Sequence, residues 1–140
     1  MLNKTGVLKE SFVNVEQILF NVEHQVSVSV LVDQSVVTSA DAYGNKIAKA
    51  GTPLTGDLDA RTTAFTAAQT SGSPTATSNA VGILLHDVDL TQGDENGTLL
   101  IFGFVNTSRI DSTTAAKITD EVKAALPMIC FAAMDDKAEE

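Results

Sequence analysis

Between Ala80 and Ile110 the chain carries two apolar runs on either side of a polar, acidic tip, and no other stretch limits the fold as strongly. The first run, AVGILLHDVDL, contains Val81, Ile83, Leu84, Leu85, Val88 and Leu90. The second, TLLIFGFVN, contains Leu99, Leu100, Ile101, Phe102, Phe104 and Val105. Each run is of strand length, rich in β-formers and bounded by turn residues. The tip, Gly93 to Gly97, includes Asn96-Gly97, a pair that takes positive φ at little cost. The pattern predicts a long β-hairpin over 80–110. Its second limb is apolar at odd and even positions alike, interrupted by Gly103, so both faces of that limb are expected to be covered. A sheet with one wet face would alternate more cleanly.

The rest of the chain is compatible with one mainly β domain. A length of 140 residues suits a single domain, and such a chain buries roughly two-thirds of its unfolded surface. Aromatic residues are only 5% and Trp is missing, so the core must be aliphatic and alanine-rich. No apolar run approaches the ~20 residues of a membrane helix. The opening MLNKTGVLKE lacks the pattern of a signal peptide, and the expected place of synthesis is a cytoplasm. The net charge of −9 leaves no basic patch to neutralise phosphates, which argues against a nucleic-acid partner. The single cysteine, Cys130, sits in MICFAA and reads as a small buried hydrophobe.

Taken in order, residues 1–24 are ambiguous. Phe12, Val15, Leu19 and Val22 fit one helical face, but the β-branched residues and Asn14 and Asn21 weaken a helix. A short helix and an arm shaped by a partner are both consistent with this pattern. QVSVSVLV, residues 25–32, alternates strictly and predicts a half-buried strand with Val26, Val28, Val30 and Val32 on one face. Lys46–Ala50 can form a short strand, and Pro53 restricts any strand after it to an edge. Residues 62–79, uncharged and dominated by Thr, Ser and Ala, predict a mobile surface loop. One helix is expected near 113–126, with Asp111, Ser112 or Thr113 as cap, Pro127 as stop and Ile118, Val122 and Leu126 as its apolar stripe. Met128–Ala133 predicts a last strand, and 135–140 a charged tail.

Two acidic groups invite a chemical reading. His86, Asp87 and Asp89 lie in the hairpin, with Asp94 and Glu95 at its tip. The calcium-loop pattern fails there because Thr91 and Gln92 stand where a ligand and a glycine belong. Asp57 and Asp59 could pair as acid and base, but read better as loop residues near Arg61. No nucleophile elbow, phosphate-binding loop or dinucleotide fingerprint is present. The expectation is therefore no catalytic residues, no metal, no cofactor and no enzyme.

The order of motifs resembles that of phage head decoration proteins of the lambda type. The matching pieces are AGTPL (Ala50–Leu54), AVGILLHD (Ala80–Asp87), Thr98–Asn106 and the strand near Ile129–Phe131, within a span of about 46–133. The resemblance implies a small, mainly β, α+β domain, a β-clip-like barrel or sandwich. It also implies a homotrimer that binds the major capsid protein on the outer surface of the virion and staples the shell, with no nucleic acid and no membrane. By that likeness residues 1–24 form the capsid-attachment arm, 25–134 the decoration domain and 135–140 the tail. Phe12, Val13, Val15, Ile18 and Leu19 are the expected capsid-binding residues. Leu100, Phe102 and Phe104 are the expected trimer-interface residues. The alternatives are a surface display or host-binding virion module, using the 62–79 loop or the hairpin tip, and a small trimeric β-fold hydrolase, for which the phosphate-binding loop is missing.

Overall fold

A computed structural model of the chain describes residues 17–133. Its strands are β1 (Leu19–Val32), β2 (Ile47–Ala48), β3 (Pro53–Thr55), β4 (Thr66–Ala67), β5 (Thr70–Ser71), β6 (Thr77–Ser78), β7 (Gly82–Leu84), β8 (Val88–Asp89), β9 (Glu95–Asn106) and β10 (Ile129–Ala132). Two short helices follow β9: α1 (Ser112–Ala115) and α2 (Asp120–Ala125). The fold is mainly β, with 40% strand against 14% helix, a small α+β domain as expected.

β9 is the wall on which the fold is built. On one side it pairs antiparallel with β1. On the other it takes β7 at Leu99 and Leu100, and β10 in parallel from Gly103 to Asn106. At Leu99 and Leu100 its two faces are covered by separate cores, while Phe102 and Phe104 stay partly exposed. Leu100 and its neighbour Ile83 enter one core with Leu85, Ile110, Ile118, Val122 and Leu126. Leu99 and its neighbour Leu84 enter a second core with Val30, Val32, Leu54, Phe65 and Leu90.

The 80–110 hairpin is shorter than its apolar pattern implies. β7 pairs with β9 at Ile83↔Leu100 and Leu84↔Leu99. The chain then leaves, and β8 pairs with β2 instead. The tip also differs: the positive-φ turn residue is Gly93 (φ 127°), while Asn96-Gly97 lie inside β9 opposite Leu31 and Val30. Gly97 is there for space, since a Cβ would meet Val88 at 2.9 Å and Val32 at 3.0 Å.

Four further expectations are corrected. The single helix over 113–126 is two helices. The first ends at Ala115, and Thr119 caps the second, its hydroxyl accepting the Val122 N–H, with Asp120 and Glu121 favouring that N-terminus. The stripe Ile118, Val122 and Leu126 still faces the core. Residues 62–79 are not simply a loop. Phe65 is fully buried, its N–H donates to the Leu31 carbonyl at 2.7 Å, and β5 and β6 form a small hairpin. β3 is an interior strand between β7 and β4 despite Pro53. Pro53 is its first residue, where no donor is required, and its carbonyl accepts the Ala68 N–H. Cys130 is exposed rather than buried, because β10 turns Ile129 inward and the thiol outward.

The boundary at residue 24 also falls inside an element. β1 runs from Leu19 to Val32, so residues 19–24 are strand rather than helix.

Candidate functional site

The face that β1 and β9 turn to solvent is the most unusual surface of the described chain. β1 does not follow β9 evenly. Asn21 pairs with Phe104 and Val26 with Phe102, so five steps along β1 oppose two along β9. Asn21 drives this bulge: its Oδ1 accepts the N–H groups of Glu23 (3.0 Å) and His24 (3.2 Å), drawing them off the ladder. The result raises an apolar surface. Val22 is 53% exposed and Val26 47%, with Phe20 at 39% beside them. The Phe20 and Phe104 rings lie 5.6 Å apart between centroids, and Phe102 and Phe104 meet edge-on at 6.3 Å. Such ring pairs add roughly 0.5–1.5 kcal/mol to their burial. They hold an aromatic strip of fixed shape at the surface. Gln25, within the bulge, has a buried Oε1 with no hydrogen-bond partner among the described residues.

An apolar groove of about 490 Å³ borders this strip. Val26, Leu58, Ile101, Phe102, Leu126 and Met128 line it. Met128 is 61% exposed, a large apolar side chain held at the surface by the turn before β10.

The expected site residues divide sharply. Phe12, Val13 and Val15 lie outside the described residues. Ile18 and Leu19 are buried in the first core, and the Ile18 carbonyl accepts the Asn106 N–H at 2.7 Å. Leu100 is fully buried in the first core with Ile83 and Leu85. Phe102 and Phe104 are brought together at the partly exposed strip. Phe20, Val26 and Met128 were not singled out by sequence. The i, i+2 pair Phe20 and Val22, opposite in sense to Leu19, carried the signal, masked by its overlap with a helical spacing.

The acidic residues serve the backbone. Asp87 Oδ1 accepts the Ala50 N–H at 2.7 Å, while Oδ2 lies 3.7 Å from Lys49 Nζ. Asp89 accepts the Thr91 N–H and Asp94 the Gln34 N–H. Asp57 accepts the Asp59 N–H at 2.9 Å, a turn contact. The Thr91 hydroxyl and then its N–H hold the Asp89 carboxyl below the usual range. Ser35 does the same for Asp33, hydroxyl first. Among the described residues no group of three or more His, Cys, Asp or Glu side chains is arranged to hold a metal ion. A second cleft, about 380 Å³, is lined by Lys49, Asp87, Arg109 and Asp111. There Arg109 Nη1 donates to the Gln17 carbonyl at 3.2 Å, which anchors the entry of β1.

No protein-family model matches the chain, and no curated protein matches it significantly.

Proposed function

We propose that this chain is a structural virion protein that binds the outside of a phage capsid as a homotrimer and stabilises the head shell. The observation that carries the reading is the aromatic strip of Phe20, Phe102 and Phe104, joined by Val22 and Val26, on a chain of net charge −9. Like charge keeps such chains apart in general, and an uncharged apolar face lets them associate at one place. Aromatic residues concentrate at the centres of interfaces for the same reason. The order of motifs from AGTPL to ICFA gives the role its content, by likeness to lambda-type decoration proteins. Phe102 and Phe104 are the subunit-facing residues in this reading. Attachment to the major capsid protein falls to residues before Gln17.

A trimer multiplies modest contacts, because the second and third form at high effective concentration. Binding the assembled shell and not its dispersed subunits then stabilises the shell by mass action. The test heats decorated and bare capsids of the same phage and scores DNA release. Decorated heads should rupture at higher temperature. Equal rupture temperatures at full occupancy would remove the stabilising role and leave surface display as the leading alternative.

A further inference from the structure

We infer that the open edge of β1 at Ser27–Ser29 takes a strand from another protein, an extended segment carrying Lys or Arg at alternate positions. This rim is not the aromatic strip, and its occupant does not depend on how the chain assembles.

β1 is the end strand of the sheet, beyond β9. Its register with β9 runs evenly from Ser27 to Val32. Within that stretch Leu31 turns its backbone away from β9: its N–H donates to the Arg61 carbonyl at 3.3 Å, and its carbonyl accepts the Phe65 N–H at 2.7 Å. Backbone groups alternate in direction along a strand, so Ser29 and Ser27 turn theirs the same way. Arg61 agrees, its Nη1 donating to the Ser29 carbonyl at 3.3 Å. Three outward groups are left, the Ser29 N–H and both backbone groups of Ser27, within about 7 Å of strand. Among the described residues none of the three has a hydrogen-bond partner.

Such a rim is a template for strand addition unless it is defended. Defences stand on either side of it: the bulge at Asn21–Val26 before, and residues 61–65 over Leu31 and Asp33 after. Between them β1 carries neither Lys nor Pro. A cleft of about 650 Å³ opens beside the rim, lined by Ser29, Leu31, Leu58, Asp59, Arg61 and Asn96. Leu58 also lines the apolar groove with Val26 and Met128, so a polar bed and an apolar bed meet there. Charge sets the sign of the occupant. Glu23 stands in the bulge, Asp59 in the cleft and Glu95 opposite Val32, all exposed, while Arg61 is already turned onto Ser29. A second copy brings another −9 of charge and is the poorer occupant. A segment alternating Lys with β-branched residues matches both the charge and the extended shape.

The probe is a synthetic peptide of alternating Lys and Val added to the full chain, with alternating Glu and Val as control. Amide hydrogen exchange followed by NMR reads each N–H. In the free protein Ser27 and Ser29 should exchange at least tenfold faster than Val28 and Val30, whose groups face β9. The Lys-Val peptide should slow Ser27 and Ser29 at least tenfold, and the Glu-Val peptide should leave them unchanged. No slowing by the Lys-Val peptide would overturn the inference.

Ser29→Pro removes an outward N–H and no ladder bond, so the melting temperature should hold while Lys-Val binding weakens at least tenfold. Binding that Ser29→Pro leaves intact would be surface charge alone and would overturn the inference. A fold lost to Ser29→Pro would put that N–H in the ladder and do the same. So would protection of Ser27 and Ser29 that grows with protein concentration in the free chain, which would assign the rim to a second copy.

Discussion

The N–H of Ala50 donates to Asp87 Oδ1 at 2.7 Å across 37 positions of sequence. The bond fixes the point where the chain leaves β9 after β7 and turns to pair β8 with β2. Asp87→Ala should therefore lower stability, by about 1 kcal/mol after allowing for the half-exposed carboxylate. Urea denaturation checks this; the midpoint should fall at constant slope.

Phe65 tests whether the Thr/Ser/Ala-rich segment is merely surface. It is fully buried in the second core with Leu54 and Leu99. Phe65→Ala should cost about 3–5 kcal/mol, as for other buried aromatic deletions. A loss below about 1 kcal/mol in denaturant unfolding would return residues 62–79 to the status of a loop.

Gly82 is required by crowding rather than by its backbone angle. A Cβ there would lie 2.6 Å from the Leu100 carbonyl oxygen and 2.7 Å from Leu99 Cγ. Neither β7 nor β9 can give way, since each is paired on both sides. Gly82→Ala should destabilise by about 1–3 kcal/mol or more, read as a drop in melting temperature.

Acid should weaken the fold through two turns. Asp33 and Asp89 each titrate lower in the folded chain than in the unfolded one, because the hydroxyl and then the N–H of Ser35 or Thr91 favour the carboxylate. The unfolded state binds these protons first, so their stabilisation is complete above the ordinary aspartate pKa of about 3.9. It is lost as pH falls through the lowered folded values. The melting temperature should decline across that window, and Asp89→Asn should make the decline shallower.

Much of this architecture was legible because periodicity and composition agreed. The apolar run Leu99–Val105 predicts cover on both faces; Leu99 and Leu100 receive it from two cores, while Phe102 and Phe104 stay partly exposed. QVSVSVLV gave a strand, though only Val30 and Val32 of its apolar face are fully buried, since the bulge at Asn21 lifts Val26 outward. Failures came where one residue outweighed its neighbourhood. Phe65 anchors a segment otherwise too polar to hold, and Thr119 caps a helix in the middle of a helical pattern. Of the residues singled out by sequence, Phe102 and Phe104 lie in the partly exposed strip. Leu100 shares their run and their parity but is fully buried in the first core beside Ile83 and Leu85.

Val105 has one neighbour on each side: Leu19 in β1 and Phe131 in β10. The described chain thus begins and ends at the same end of the same strand, on opposite flanks. Tension applied between those two points does not slide strands past one another. It peels β1 and β10 away from β9 starting at Val105, loading hydrogen bonds one after another instead of together. Against a pull from its ends the domain is a zipper, weak in that direction whatever its thermodynamic stability. It resists load best when held by its faces.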